Sequence, residues 1–128
     1  SATETFSQRN LGRTIDESLT MFAPVVERAR EAGASVRGYV SMCCGDPWEG
    51  SVPIAKVVDV ATRMMKLGCT QLALGDTIGV GTPGQVRALI DAVVAAGIDV
   101  GSISVHFHDT YGQALANVLA ALQAGVTT

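Results

Sequence analysis

The sequence predicts an α/β fold of parallel β/α units that forms about half of a (β/α)8 TIM barrel, and three observations carry that prediction. Short apolar stretches alternate with amphipathic ones in the order α-β-α-β-α-β-α, the pattern of a parallel sheet with right-handed crossovers. The apolar stretches start near residues 36, 71 and 102, a repeat of about thirty residues that matches one barrel unit. The 128 residues are 48% apolar and only 16% charged, against roughly 25% charged in an ordinary soluble domain. That suits buried strands covered by Ala- and Val-rich helices. A whole barrel needs roughly 250 residues, so residues 1–128 are read as one partial catalytic domain with no second domain. The competing fold is a small doubly wound sheet, for which three strands are few and the GxGxxG fingerprint is missing.

The elements follow in order. Thr14 and Glu17 form a capping box ahead of Ile15, Leu19, Phe22, Val26 and Ala29 at helical spacing, with Gly33 closing the helix and Pro24 a candidate kink. Val36 to Met42 is β-branched and aromatic enough for a strand, and Cys43 to Ser51 is a loop. Pro53 opens a second helix whose apolar face is Ile54, Val57, Val58, Ala61, Met64 and Met65, stopped by Gly68. Gln71 to Gly75 is the second strand. Thr82-Pro83-Gly84-Gln85 starts a third helix that ends at Gly97, Ser102 to His108 is the third strand, and Tyr111 to Ala124 the fourth helix. A further strand is expected to begin at Val126.

Several function classes are set aside. Nine basic against twelve acidic side chains leave −3, with no Lys/Arg cluster to displace counterions from nucleic acid. The longest apolar stretch, Ala88 to Val100, is cut by Asp91, Gly97 and Asp99 and falls short of the roughly 20 residues of a membrane span. Three cysteines, two of them adjacent at Cys43 and Cys44, cannot make a secreted disulfide framework, so a reducing compartment is expected: the cytoplasm, or the mitochondrial matrix in a eukaryote.

The strongest chemical signal is Ser104-Val105-His106-Phe107-His108-Asp109. Residues two apart on a strand share a face, so His106 and His108 present imidazoles side by side at the strand end where parallel α/β folds bind ligands. Such a pair offers two cis ligands to a divalent metal; the alternative is a hydrogen-bonded pair on the sheet. Asp76 ends the second strand and Asp109 follows the third, each either a catalytic carboxylate or a turn and capping residue. Tyr39 shares a face with Arg37 and is read as a substrate hydrogen-bonder or as barrel filling. The Gly79–Gly84 loop is read as a turn in preference to an anion cradle, because it lacks the lysine of a P-loop. Cys43-Cys44 lacks zinc-ligand spacing.

Three stretches carry a family resemblance: Arg37-Gly38-Tyr39-Val40-Ser41, Leu74-Gly75-Asp76-Thr77-Ile78-Gly79-Val80-Gly81-Thr82-Pro83-Gly84, and Val105-His106-Phe107-His108-Asp109-Thr110-Tyr111-Gly112-Gln113-Ala114-Leu115-Ala116-Asn117. Together with Ser1–Phe6 and Asn10, they resemble the 3-hydroxy-3-methylglutaryl-CoA lyases over essentially the whole chain. The His-x-His-Asp-Thr core is shared with isopropylmalate and homocitrate synthases and carboxyltransferase domains, whereas the surrounding residues are specific to the lyases.

The resemblance implies a metal-dependent barrel that splits hydroxymethylglutaryl-CoA into acetyl-CoA and acetoacetate by retro-Claisen cleavage. It implies Mg²⁺ or Mn²⁺ on His106 and His108, Asp76 beside the reacting carbons and Tyr39 lining the pocket. Two imidazoles suit Mn²⁺ better than Mg²⁺, and the remaining ligands would be oxygens. An acyl-CoA substrate and a homo-oligomer are the expected partners, with no nucleic acid and no membrane. The chain departs from the family in lacking an Arg-Asp pair on a first strand, the late Gly-rich loop with its cysteine, and the Asn that completes the metal shell. Met42 and Asp46 stand where many members have cysteines. On these grounds the 128 residues are expected to be inactive alone. The alternatives are a Claisen-type synthase acting on an acyl-CoA and a 2-keto acid, and a non-catalytic metal-binding segment.

Overall fold

A computed structural model describes all 128 residues. Its helices are α1 (Glu4–Leu11), α2 (Ile15–Glu31), α3 (Ile54–Leu67), α4 (Pro83–Ala95) and α5 (Ala114–Gln123), with a 3-10 turn at Val100–Ser102. Its strands are β1 (Arg37–Val40), β2 (Gln71–Asp76) and β3 (Ile103–Phe107), paired in parallel in the order β1-β2-β3. Sequential order with right-handed crossovers places every connecting helix on one face of the sheet, as in a barrel wall. A doubly wound sheet would need a reversal of strand order, and none occurs.

The two faces of the sheet differ sharply. Val40, Leu72, Leu74 and Ile103 are buried beneath Val57, Ala61, Val86, Ile90, Val93 and Ala121 of the helices, in one continuous apolar cluster. The opposite face carries Arg37 and Tyr39 from β1, Ala73 and Gly75 from β2, and Ser104 and His106 from β3. Tyr39 is 57% exposed there.

Local signals worked as expected at the helix starts. Thr14 accepts from Glu17 N while the Glu17 carboxylate accepts from Thr14 N, and Thr82 and Gln85 repeat the arrangement on α4. Pro24 lies inside an unbroken α2 on its exposed side, where the carbonyl it leaves unpaired faces water.

Beyond shifts of a residue or two at strand ends, four features differ from expectation. Helix α1 was not anticipated; its mean hydropathy is low and it carries no side-chain cap, so it lacks both local signals of a helix. Strand β1 stops at Val40, because Met42 turns to φ 62 and its N–H goes to the Thr77 hydroxyl instead of to the ladder. Helix α5 begins at Ala114, three residues late, after a turn in which Gly112 takes φ 70. No strand forms at Val126, although Val105 N donates to Thr128 O at 3.0 Å on the free edge of β3.

Candidate functional site

The C-terminal ends of the three strands and the loops after them form one rim. β3 delivers His106 onto the open face, and His108 follows just past the strand end, its N–H donating to Asp76 O at 3.3 Å. Both imidazoles are exposed, and their ring centres lie 5.1 Å apart at an interplanar angle of 51°. Metal–nitrogen distances of about 2.1 Å at a roughly 90–110° angle would separate two ring centres by about 4.5–5.2 Å, a spacing the pair matches. No third His, Cys, Asp or Glu completes a cluster with them. Opposite His106 in register stands Gly75, and opposite Tyr39 stands Ala73, which in turn faces Ser104. These small residues leave open floor between the exposed phenol and the imidazoles.

Asp76 ends β2 at the same rim as the imidazoles, with its backbone carbonyl accepting from His108 N. Strand alternation puts it on the helix-facing side with Leu72 and Leu74, and it is fully buried. One carboxylate oxygen accepts from Gly81 N at 2.8 Å and the other from Val80 N at 3.2 Å, so the group holds the 76–81 loop in place. Asp109 is likewise occupied, accepting from Ala114 N at 2.8 Å at the start of α5. The Gly79–Gly84 loop behaves as a turn: the Val80 and Gly81 N–H groups are taken by Asp76 and the Thr82 N–H by Gln85, which leaves no cradle for an anion.

The rim loops interlock through glycines. Gly79, at φ 69, lies against the loop after β3, where an added Cβ would meet Thr110 Oγ1 at 2.7 Å and His108 O at 2.8 Å. A Cβ on Gly81 would lie 2.9 Å from both Asp76 Oδ2 and Cys44 Sγ. Burial pushes both the Cys43 and Cys44 thiols up to about 12. Cys43 Sγ also donates to Val40 O, so neither thiol is a ready nucleophile.

Three further polar residues at the rim were not anticipated. Asp46 is buried and accepts from Thr3 Oγ1 at 2.6 Å, Trp48 N at 2.7 Å and Glu49 N at 3.0 Å. Burial pushes its carboxyl up, but these three bonds outweigh that and leave it below the usual carboxylate range. The Arg9 guanidinium covers the Trp48 ring at 4.5 Å, fastening the same loop to α1. Thr77 accepts from Met42 N, and Asn117 reaches from α5 to Gly81 O at 2.9 Å. Only Asp46 had a legible signal, an Asp-Pro step opening a turn that ends at Gly50. A surface groove of about 390 Å³ between α1, α2 and α3 lies away from the histidines.

A family profile described as HMGL-like matches residues 1–128. The mitochondrial hydroxymethylglutaryl-CoA lyase of Bos taurus is 50% identical over 126 residues, which is 98% of this chain and 38% of that protein. The HMG-CoA lyase structure from Brucella melitensis superimposes with a TM-score of 0.94 at 42% identity, over 98% of this chain and 44% of that one. The hydroxymethylglutaryl-CoA lyase structure from Pseudomonas aeruginosa does so with a TM-score of 0.92 at 47% identity, over 98% and 41%. The expected barrel-lyase fold is thus borne out, and the chain spans about two fifths of the length of the relatives it matches.

Proposed function

Since the chain belongs to the HMGL-like family, we propose that the protein carrying it cleaves 3-hydroxy-3-methylglutaryl-CoA to acetyl-CoA and acetoacetate. The observation that supports this most is the His106–His108 pair, two exposed imidazoles 5.1 Å apart at the strand-end rim of a barrel wall. In this reading His106 and His108 would hold a divalent cation, Mn²⁺ or Mg²⁺. When bound there, the cation supplies Lewis acidity that lowers the pKa of the substrate's tertiary hydroxyl.

The balance of the reaction is simple. The hydroxyl loses its proton, the alkoxide carbon becomes the ketone of acetoacetate, and the breaking C–C bond leaves its electron pair on the acetyl-CoA carbon. The resulting enolate then takes a proton. Tyr39, on the same open face as His106, has a phenolic hydroxyl available to donate to a substrate oxygen. Ala73, Gly75 and Ser104 keep the floor clear for the acyl group. Asp76 acts from below, fixing the loop whose Gly79 packs against His108 O.

The test is acetoacetate release from hydroxymethylglutaryl-CoA by the full-length protein with Mn²⁺, together with calorimetric titration of the metal. His106→Ala is expected to weaken Mn²⁺ binding at least tenfold and to abolish turnover. Unchanged metal affinity in that variant refutes the ligand assignment. Condensation of acetyl-CoA with a 2-keto acid, with hydroxymethylglutaryl-CoA left intact, refutes the lyase reading in favour of a synthase.

A further inference from the structure

Asn117 stands out on α5. The helix Ala114–Gln123 is otherwise built of Ala, Leu, Val and Gln, and Asn117 is fully buried within it. Asparagine is a poor helix former compared with the alanines and leucines around it. Its Nδ2 donates to Gly81 O at 2.9 Å, which fixes the amide orientation, since the reverse would set oxygen against oxygen. Its Oδ1 has no partner and is the only buried side-chain polar atom in the protein in that state. Packing does not require such a residue. A leucine branches at the same atom, carries no unpaired polar atom of its own and has a higher helix propensity, but it cannot donate to Gly81 O.

The bond to Gly81 continues into the rim. Gly81 N donates to Asp76 Oδ2 at 2.8 Å, and Asp76 O accepts from His108 N at 3.3 Å and from Gly79 N at 3.3 Å. Gly79 in turn lies against the His108 carbonyl and Thr110. A continuous path therefore runs from α5 through the 76–81 loop to the backbone of His108. Every other side-chain hold on that loop, those of Asp76, Thr77 and Thr82, comes from the loop or its own helix cap. Asn117 alone ties it to the helix that follows the histidine strand.

We infer that Asn117 is a positioning residue that clamps the Asp76–Gly81 loop and thereby sets His108 for metal binding. This rests on the ligand role proposed for His108, although the loop clamp itself does not. Its signature is a trade between stability and site geometry. Removing the amide removes an unpaired buried atom and a weak helix former but leaves the buried Gly81 carbonyl without its donor, so the two effects offset in the global fold while the loop loosens.

The experiment compares wild type, Asn117→Leu and Asn117→Ala in the full-length protein by three readouts: thermal midpoint, amide hydrogen exchange across residues 76–82, and Mn²⁺ affinity by titration. For Asn117→Leu the midpoint should stay within a few degrees of wild type, exchange at Val80 and Gly81 should quicken at least tenfold, and Mn²⁺ should bind three- to tenfold more weakly. If that variant fails to fold, Asn117→Ala carries the same exchange and affinity expectations at a lower midpoint. Loop exchange within twofold of wild type in a folded variant overturns the clamp. Faster exchange with unchanged Mn²⁺ affinity overturns the link to His108. Failure of the wild type to bind Mn²⁺ refutes the metal reading and with it that link, and the exchange result then judges the clamp alone.

Discussion

Replacing Asp76 by asparagine removes a charge without changing volume, and the structure lets its cost be worked out. The carboxylate takes two backbone N–H groups, from Gly81 at 2.8 Å and Val80 at 3.2 Å, in a site with no solvent access. Hydrogen bonds to a buried charged acceptor contribute about 1.5–3 kcal/mol each, against about 0.5–1.5 for neutral pairs. Asparagine keeps one carbonyl acceptor, so one bond drops to the neutral value. The other is lost outright, with an NH₂ group now facing an N–H. The sum is a loss of about 2–4 kcal/mol. Urea unfolding of the wild-type and Asp76→Asn proteins measures it, as a lower midpoint with an unchanged slope. Exchange of the Val80 and Gly81 amides should rise alongside. A stability change below about 0.5 kcal/mol would show that the carboxylate does not hold the loop, and the reasoning would fail.

Gly79→Ala forces a side chain into φ 69 and within 2.8 Å of the His108 carbonyl, so thermal unfolding should show a loss of roughly 2 kcal/mol or more. Gly84→Ala is the control: it meets no atom within 4 Å, lies in the first turn of α4, and should be neutral or slightly stabilising. For the buried thiols the sign follows from the raised pKa. The folded protein keeps the Cys43 and Cys44 protons up to about pH 12, whereas the unfolded chain releases them near the ordinary thiol value of 9.0. Their contribution is therefore complete below pH 9 and is lost as the pH climbs toward 12, with Cys43 alone costing up to about 1.4 kcal/mol per pH unit. At pH 8 the Cys43 thiol should react with iodoacetamide only after denaturation; fast alkylation of Cys43 in the folded protein would contradict its burial.

Wherever the deciding interaction lies within a turn or two of chain, the sequence alone determined the outcome. Thr14 with Glu17 and Thr82 with Gln85 announced two helix starts, because each box closes over three residues. Gly33, Gly68 and Gly97 marked the helix ends through the positive φ that each adopts. The two-residue period of a strand sufficed to put His106 and His108 together. Tertiary structure decided what depends on distant partners. β1 stops early because Thr77, just past the end of β2, takes the Met42 N–H. The Asp76 carboxylate goes to the loop beneath the rim, since two backbone N–H groups there need an acceptor and the helix side of the sheet has no water to supply one. Thr3 finds Asp46 across 43 residues and Asn117 finds Gly81 across 36. Spacing carries no information about such pairs, because hydrogen bonds at that separation exist only once the sheet has brought the chain ends of its units to one rim.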